Sequence, residues 1–189
     1  MKENPHPLIA KLIDNFIDSD GHQCLVLERY NDGDFSKYLN DRQGELLSEK
    51  EILRFLANIF LAVFHINSRD IFHRDLKPAN FLKKEINGKI YLHLSDFGIS
   101  KNIRDKERQQ SSTNNVKGTL EYLSPEAHQK NAHITKQDVW AIGVIAYGLC
   151  TFKLPFSRET ASDTLLAIIN DDPSPIQQYY SQELKDIIR

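Results

Sequence analysis

The chain has 189 residues, 40% apolar and 26% charged, with a formal net charge of −2. That length and balance describe a soluble globular chain able to bury roughly 70% of its unfolded surface, and the small charge gives no electrostatic case for nucleic acid or an anionic membrane as partner. Its two cysteines, Cys24 and Cys150, stand far apart, so neither a disulfide framework nor a zinc site is expected, and a reducing, cytoplasmic setting is.

The opening MKENPHP has no apolar core, so it does not read as a secretion signal. LIDNFID (12–18) and QCLVLER (23–29) read as strands, and Asp20-Gly21 between them is a hairpin signal because a tight turn needs a residue that tolerates positive φ. From residue 34 helix signals dominate. Ser48 and Glu51 form a capping box ahead of EILRFLANIFLAVFHI. There Ile52, Leu56, Ile59, Val63 and Ile66 recur at helical spacing, with Phe55 and Phe60 widening the apolar face. FLKKEI and KIYLHL around Asn87-Gly88 predict a second hairpin. KNIRDKERQQSSTNN (101–115) is polar and charged and reads as a loop. The longest uncharged apolar run, VWAIGVIAYGLCTF (139–152), is short for a membrane span and reads as a buried helix that Thr135 can cap. Ser181 can cap a last helix, ELKDIIR, and no internal repeat is visible.

HRDLKPANFL (73–82) places Arg74, Asp75, Lys77 and Asn80 between apolar neighbours, after a buried helix and before a hairpin. SDFG (95–98) follows that hairpin, so Asp75 and Asp96 are delivered to one place by consecutive connections of a helix–hairpin unit. One carboxylate can orient and deprotonate a hydroxyl, and the other can hold a hard cation with Asn80 adding an oxygen ligand. Lys77 can neutralise charge on a transferring group. That inventory suits phosphoryl transfer, where catalysis is mainly positioning and charge stabilisation.

HRDLKPAN, DFG, GTLEYLSPE and DVWAIGV, in this order and spacing, resemble the eukaryotic protein kinase family, and Lys77 with GTLEY resembles its serine/threonine branch. The likeness runs from HPLIAKL to the last helix. It implies an α+β, protein-kinase-like fold: a single partial kinase domain, with residues 1–30 as a remnant of the β small lobe and the hinge, and 31–189 as the helical large lobe, truncated at its C-terminal end.

The resemblance also implies roles. Asp75 is the catalytic base, Lys77 steadies the γ-phosphate of ATP, and Asn80 and Asp96 hold Mg2+. Thr119 lines the acceptor site. LVLERYNDGD (25–34) resembles the hinge: Leu27 is the gatekeeper, the backbones of Glu28 and Tyr30 meet the adenine, Asp34 contacts ribose and Leu82 floors the adenine. His73 and Phe97 align the site by packing, and Asp138 anchors the backbone of the catalytic loop. Arg74 grips a phosphate on Ser111, Ser112 or Thr113, placed there by an activating kinase. Ser124 replaces the usual Ala of A-P-E, with no harm expected.

Several of these residues also have plainer readings. His73 and Phe97 can be core residues, Leu27 and Leu82 are apolar in any fold, and Asp138 can be a charge favoured near a helix start. The three hydroxyl residues of the polar loop can simply be solvated.

The chain departs from the family's pattern in further respects. Its eight glycines, at 21, 33, 44, 88, 98, 118, 143 and 148, nowhere form G-x-G-x-x-G, and no V-A-I-K-like strand supplies a nucleotide-binding lysine. Glu126, which in the family pairs with an arginine beyond the last helix, has no such arginine before the chain stops at Arg189. A fragment carrying the catalytic large lobe is expected.

Two functions follow: an ATP-dependent serine/threonine kinase acting on a protein substrate, or a non-catalytic kinase-like binding module. A metal-dependent phosphohydrolase would need more ligands near Asp96 than His93 provides.

Overall fold

A computed structural model describes residues 6–30, 32–42, 44–102, 118–128 and 134–188. Strand β1 (Leu12–Ile17) pairs antiparallel with β2 (Gln23–Leu27), with a bulge between Leu12 and Asp14. The turn closes as Asp20-Gly21 predicts. Gly21 has φ +84°, a region that favours glycine, and Asp18 Oδ1 accepts the backbone N–H groups of Asp20 and His22. This two-stranded ribbon buries little, and Phe16, Ile17 and Leu25 are exposed.

Helix α1 (Phe35–Asp41) starts at Asp34, whose side chain accepts the Lys37 N–H at 2.8 Å. Helix α2 (Glu49–Asn67) carries the complete Ser48–Glu51 capping box. Ile52, Phe55, Leu56, Ile59, Val63 and Ile66 are buried along it as the spacing requires. Phe60 is not: it is 42% exposed. The buried stripe is centred between 59 and 63, which turns position 60 toward the outer face with Leu53, Leu61 and Phe64.

Strand β4 (Phe81–Ile86) and β5 (Lys89–Leu94) form the second hairpin, with Asn87 at φ 51° and Gly88 at φ 70°. Two consecutive positive φ values are what a tight hairpin turn needs. The hairpin packs on α2, where Asn58 Oδ1 accepts the Leu92 N–H. The chain entering at Leu8–Ala10 adds to the far side of β5: Leu94 N–H donates to the Leu8 carbonyl, and Ala10 N–H donates to the Leu94 carbonyl.

The short strand β3 (Ile71–Phe72) pairs with β6 (Lys101–Asn102). The first two residues of the stretch read as a loop over 101–115 are therefore strand. Alternating polarity cannot show so short a pairing, because its partner, not its own pattern, selects it.

Helix α3 (Ile134–Thr151) is the predicted buried helix, with Ile142, Ile145, Leu149 and Cys150 in the core. It begins at Ile134, so Thr135 lies inside its first turn instead of capping it. Two further helices follow. Helix α4 (Ala161–Asn170) is capped by Thr160, and α5 (Gln182–Ile188) by Ser181, whose hydroxyl accepts the Leu184 N–H. Glu49 at the start of α2 accepts both the N–H and the hydroxyl of Ser181 and ties the last helix to the core. No helix among the described residues is long and apolar enough to cross a membrane.

Candidate active site

The segment between β3 and β4 is a loop whose backbone is held from below by α3. Asp138, one turn into α3, is fully buried and accepts the N–H of His73 on Oδ2 and of Arg74 on Oδ1, each at 2.9 Å. Gln137 beside it donates to the Arg74 carbonyl at 3.1 Å. Arg74 sits at φ 72°, a conformation that costs a non-glycine residue about 1–3 kcal/mol. Three hydrogen bonds to one peptide segment offset that strain. Burial pushes the Asp138 carboxyl up, against the opposing pull of the two N–H groups. The role near a helix start that a lone charge would have does not describe this geometry.

His73 is likewise fully buried. Its Nε2 lies 2.8 Å from the Ser95 carbonyl, so Nε2 carries the hydrogen and donates. Phe97 packs edge-on against the ring at 5.1 Å. Burial lowers the His73 pKa, and the Ser95 bond and nearby carboxylates only partly counter it. One imidazole thus joins the loop of Asp75 to the segment of Asp96.

Asp75 is the centre of the arrangement. Its Oδ1 accepts the Thr119 N–H at 2.9 Å and the Thr119 hydroxyl at 2.8 Å. Its Oδ2 lies 3.0 Å from Lys77 Nζ and 3.3 Å from Asn80 Nδ2. Lys77 Nζ also donates to the Thr119 hydroxyl at 2.7 Å, closing a triangle. Burial acts to raise the Asp75 carboxyl, but the bonds from Lys77 and Thr119 outweigh it and hold it below the usual carboxylate range. Asp75 is therefore an ionised, oriented acceptor.

Asn80 is buried and spends its amide nitrogen on the Asp75 carbonyl (2.8 Å) and carboxylate. Its Oδ1 makes no hydrogen bond among the described residues, and an amide oxygen can meet a cation. Its own backbone carbonyl accepts both the N–H and the hydroxyl of Ser95, the residue before Asp96. Asp96 is exposed, at φ 56°, with Oδ1 accepting the Gly98 N–H at 3.2 Å. An exposed carboxylate and an amide oxygen are hard oxygen donors, the chemistry Mg2+ prefers. The residues present fit that ion.

The segment from Leu27 to Asp34 packs against β4, β5 and the residues that enter the fold at Lys11. Leu27 is half-buried and ends β2 opposite Leu12. The Glu28 N–H is taken by the Lys11 carbonyl at 2.8 Å, and its side chain pairs with Lys84 of β4 at 2.6 Å. The Tyr30 ring lies against His93 at 5.0 Å, and its hydroxyl accepts the Lys11 N–H. His93 is buried in β5. Asp34 bridges backbone-to-backbone with half-buried Leu82, and one of its oxygens is committed to capping α1. Glu126 is exposed, and Ser124 is buried in the turn that carries it. Ser111, Ser112, Thr113 and Arg189 lie outside the described residues.

The structure adds residues that sequence reasoning did not single out. Gly118 has φ +123°, and a Cβ there would meet the Arg74 carbonyl at 2.8 Å, so only glycine lets the segment carrying Thr119 approach Asp75. Gln137 and Ser95 act through the bonds given above. The glycine stands inside the quoted GTLEY motif, so its place was visible and its reason was not.

The sequence pattern described as "Protein kinase domain" matches residues 1–189. The chain is 35% identical over 189 residues to serine/threonine-protein kinase Nek5 of Homo sapiens, covering all of this chain and 26% of that protein. It is 32% identical over 195 residues to serine/threonine-protein kinase nekl-2 of Caenorhabditis elegans, covering all of this chain and 53% of that protein. It is also 36% identical over 186 residues to the probable serine/threonine-protein kinase nek3 of Dictyostelium discoideum, covering 97% of this chain and 16% of that protein. The chain thus spans about half or less of the length of these relatives.

Proposed function

The chain belongs to the protein kinase domain family, and we propose that it carries the catalytic machinery of an ATP-dependent protein serine/threonine kinase. The observation that supports this reading most is the Asp75–Lys77–Thr119 triangle, with Asn80 closing its open side. A lobe that only bound partners would have no need of four polar groups converging on one carboxylate.

In this reading the hydroxyl of a serine or threonine in a protein substrate approaches Asp75 and donates a hydrogen bond to it. The new bond forms between that oxygen and the γ-phosphorus of ATP. The bond from the γ-phosphorus to the β,γ-bridging oxygen breaks, and ADP departs. The hydroxyl proton passes to Asp75. Because Lys77 and Thr119 depress the Asp75 pKa, the carboxylate is a weak base, and its main service is to orient the hydroxyl. Lys77 adds positive charge beside the transferring group. Mg2+, held by Asp96 and Asn80 Oδ1, would neutralise charge on the phosphate oxygens. The Glu28 carbonyl and the Tyr30 backbone would meet the adenine edge, above Leu82.

Two substitutions in the full-length protein test the assignment. Asp75→Asn keeps the shape and loses the base, so phosphate transfer to a serine peptide is expected to vanish while ATP binding stays within a few-fold. Asp96→Asn is expected to weaken Mg2+-dependent ATP binding itself. Equal loss of binding and turnover in Asp75→Asn, or a Mg2+ titration unchanged by Asp96→Asn, contradicts these roles. ATP binding and turnover absent from the unsubstituted protein would favour a binding module instead.

A further inference from the structure

Among the described residues outside the active site, metal-ligating side chains gather at the turn that joins β1 to β2. One ligand atom each of Asp18, Asp20 and His22 lies within 4.8 Å of the others. His22 Nδ1 stands 3.3 Å from Asp18 Oδ2. The Cys24 thiol comes to the same oxygen, at 3.8 Å. Cys24 follows His22 by two positions on an extended segment, and residues so spaced share a face. Two carboxylates alone at a turn would be a solvated tip. An imidazole and a thiol set against one carboxylate oxygen are a different donor set.

The turn fixes the central donor before any ion arrives. Asp18 Oδ1 accepts the N–H groups of Asp20 and His22 at 2.9 and 2.8 Å, and the Asp18 N–H donates to the His22 carbonyl at 2.9 Å. Oδ2 is thereby left to face the imidazole and the thiol. The same N–H groups, that of His22 above all, hold the Asp18 carboxyl below the usual carboxylate range, so it is ionised. Zinc binds nitrogen and oxygen at about 2.0–2.2 Å and sulfur at about 2.3 Å, so the edges of its tetrahedron are about 3.3–3.7 Å long. The two separations from Asp18 Oδ2, 3.3 and 3.8 Å, are close to such edges. Asp20 is exposed, so its side chain can turn inward as the fourth donor. A thiolate and an imidazole select a borderline ion such as Zn2+ over Mg2+ or Ca2+, which prefer oxygen alone. The spacing of the two cysteines does not report this, because one cysteine suffices where an imidazole and two carboxylates complete the set.

We propose that Asp18, Asp20, His22 and Cys24 form a four-donor site for Zn2+ that clamps the turn of the β1–β2 ribbon. Binding turns the Cys24 thiol into a thiolate and releases its proton to solvent. Phe16, Ile17 and Leu25 of the ribbon are exposed, so the ribbon gains little from burial, and an ion bound only by the folded turn stabilises it by mass action. The site shares no residue with the Asp75 cluster or with the proposed Mg2+ ligands, so it stands or falls apart from the kinase reading.

The test titrates the full-length protein with Zn2+, and with Co2+ as a coloured probe of the same geometry. Zn2+ is expected to bind at micromolar concentration and to raise Tm. Co2+ is expected to give the intense visible bands of tetrahedral coordination together with a thiolate-to-metal charge-transfer band, and Cys24→Ser is expected to remove that band. Cys24→Ser and His22→Ala are each expected to weaken Zn2+ binding by at least about tenfold, since loss of even an outer-shell partner costs that much. His22 is exposed, so His22→Ala carries the test if Cys24→Ser impairs the ribbon. Asp96→Asn is expected to leave the Co2+ spectrum as it is, which separates this site from the proposed Mg2+ site. No Zn2+ binding at micromolar concentration, a Co2+ spectrum without a thiolate band or one that Cys24→Ser leaves unchanged, or a Zn2+ affinity unchanged in His22→Ala overturns the proposal.

Discussion

Asp138 and Arg74 lie 64 residues apart, yet the Asp138 carboxylate accepts the Arg74 backbone N–H at 2.9 Å while its second oxygen holds the neighbouring His73 N–H. The pair turns a strained loop into a fixed platform for Asp75. Asp138→Asn replaces one acceptor oxygen with a donor, so one buried N–H faces another. A lost bond to a charged acceptor costs about 1.5–3 kcal/mol, and for a chain of this size 1 kcal/mol shifts Tm by about 2–4 °C. A fall of roughly 3–12 °C in Tm, with phosphate transfer reduced further than stability alone explains, is the expected result. A variant melting and turning over like the parent would show that the loop holds its shape without Asp138.

How much of this was legible beforehand depends on the range of the interaction. The capping box at Ser48, the two hairpin turns and the buried stripe of α2 are set by residues within a few positions of one another, and the structure has them as read. Phe60 shows the limit: periodicity gives the width of an apolar face but not which edge the neighbours cover. The candidate site residues were read from their motifs, whereas the contacts that hold each in place were not. Gly118 is needed because of a carbonyl 44 residues earlier in the chain, at Arg74, and no local pattern reports that. The helix α4 carries its own signal in Thr160 and Asp163, whose mutual bonds cap it, but its apolar residues 165–169 form one unbroken run that shows no helical spacing.

The same platform bears on the proposed regulation. Arg74 is half-buried and held by its backbone, so its guanidinium is presented from a fixed base. A phosphate brings about −1.5 to −2 charge and can order a loop through an arginine. Replacing Ser111, Ser112 and Thr113 together by alanine in the protein is expected to lower the proposed kinase activity, and Arg74→Ala is expected to remove any gain from phosphorylating them. Full activity in the triple variant would end the proposal that this segment is a switch.

Acid should destabilise the fold well before the carboxylates titrate. Burial lowers the pKa of His73 from the usual 6.5, and burial together with Lys84 lowers that of His93. A second proton on His73 would go to Nδ1, a buried atom with no hydrogen-bond partner among the described residues. At these two histidines the unfolded chain therefore binds more protons than the folded one below about pH 6.5, while the raised carboxyl of Asp138 acts in the opposite sense. Stability is whole above that pH and declines as pH falls toward the folded values, by up to about 1.4 kcal/mol per pH unit for each histidine. Urea unfolding at pH 7.5 and 5.5 measures it. His73→Phe is expected to remove part of the slope and leave the share of His93. A stability that is flat between these two pH values would refute the assignment.

The 189 residues by themselves are expected to bind Mg-ATP poorly. No G-x-G-x-x-G and no lysine-bearing strand of the V-A-I-K kind occur in the sequence, and Lys77 is already shared between Asp75 and Thr119. Each absent charge-assisted contact to a phosphate is worth about 1.5–3 kcal/mol, and 1.4 kcal/mol is tenfold in affinity. Two or three such contacts together amount to several orders of magnitude. The β1–β2 ribbon adds a second liability, since Phe16, Ile17 and Leu25 are 51%, 72% and 55% exposed on a two-stranded sheet. Such a surface, with strand edges unpaired among the described residues, favours association with other copies. Calorimetry of the purified 189-residue chain should detect little Mg2+-dependent ATP binding, and light scattering should detect species larger than a monomer. A monomer that binds ATP at micromolar concentration would overturn this, because some other part of these residues would then have to cradle the phosphates.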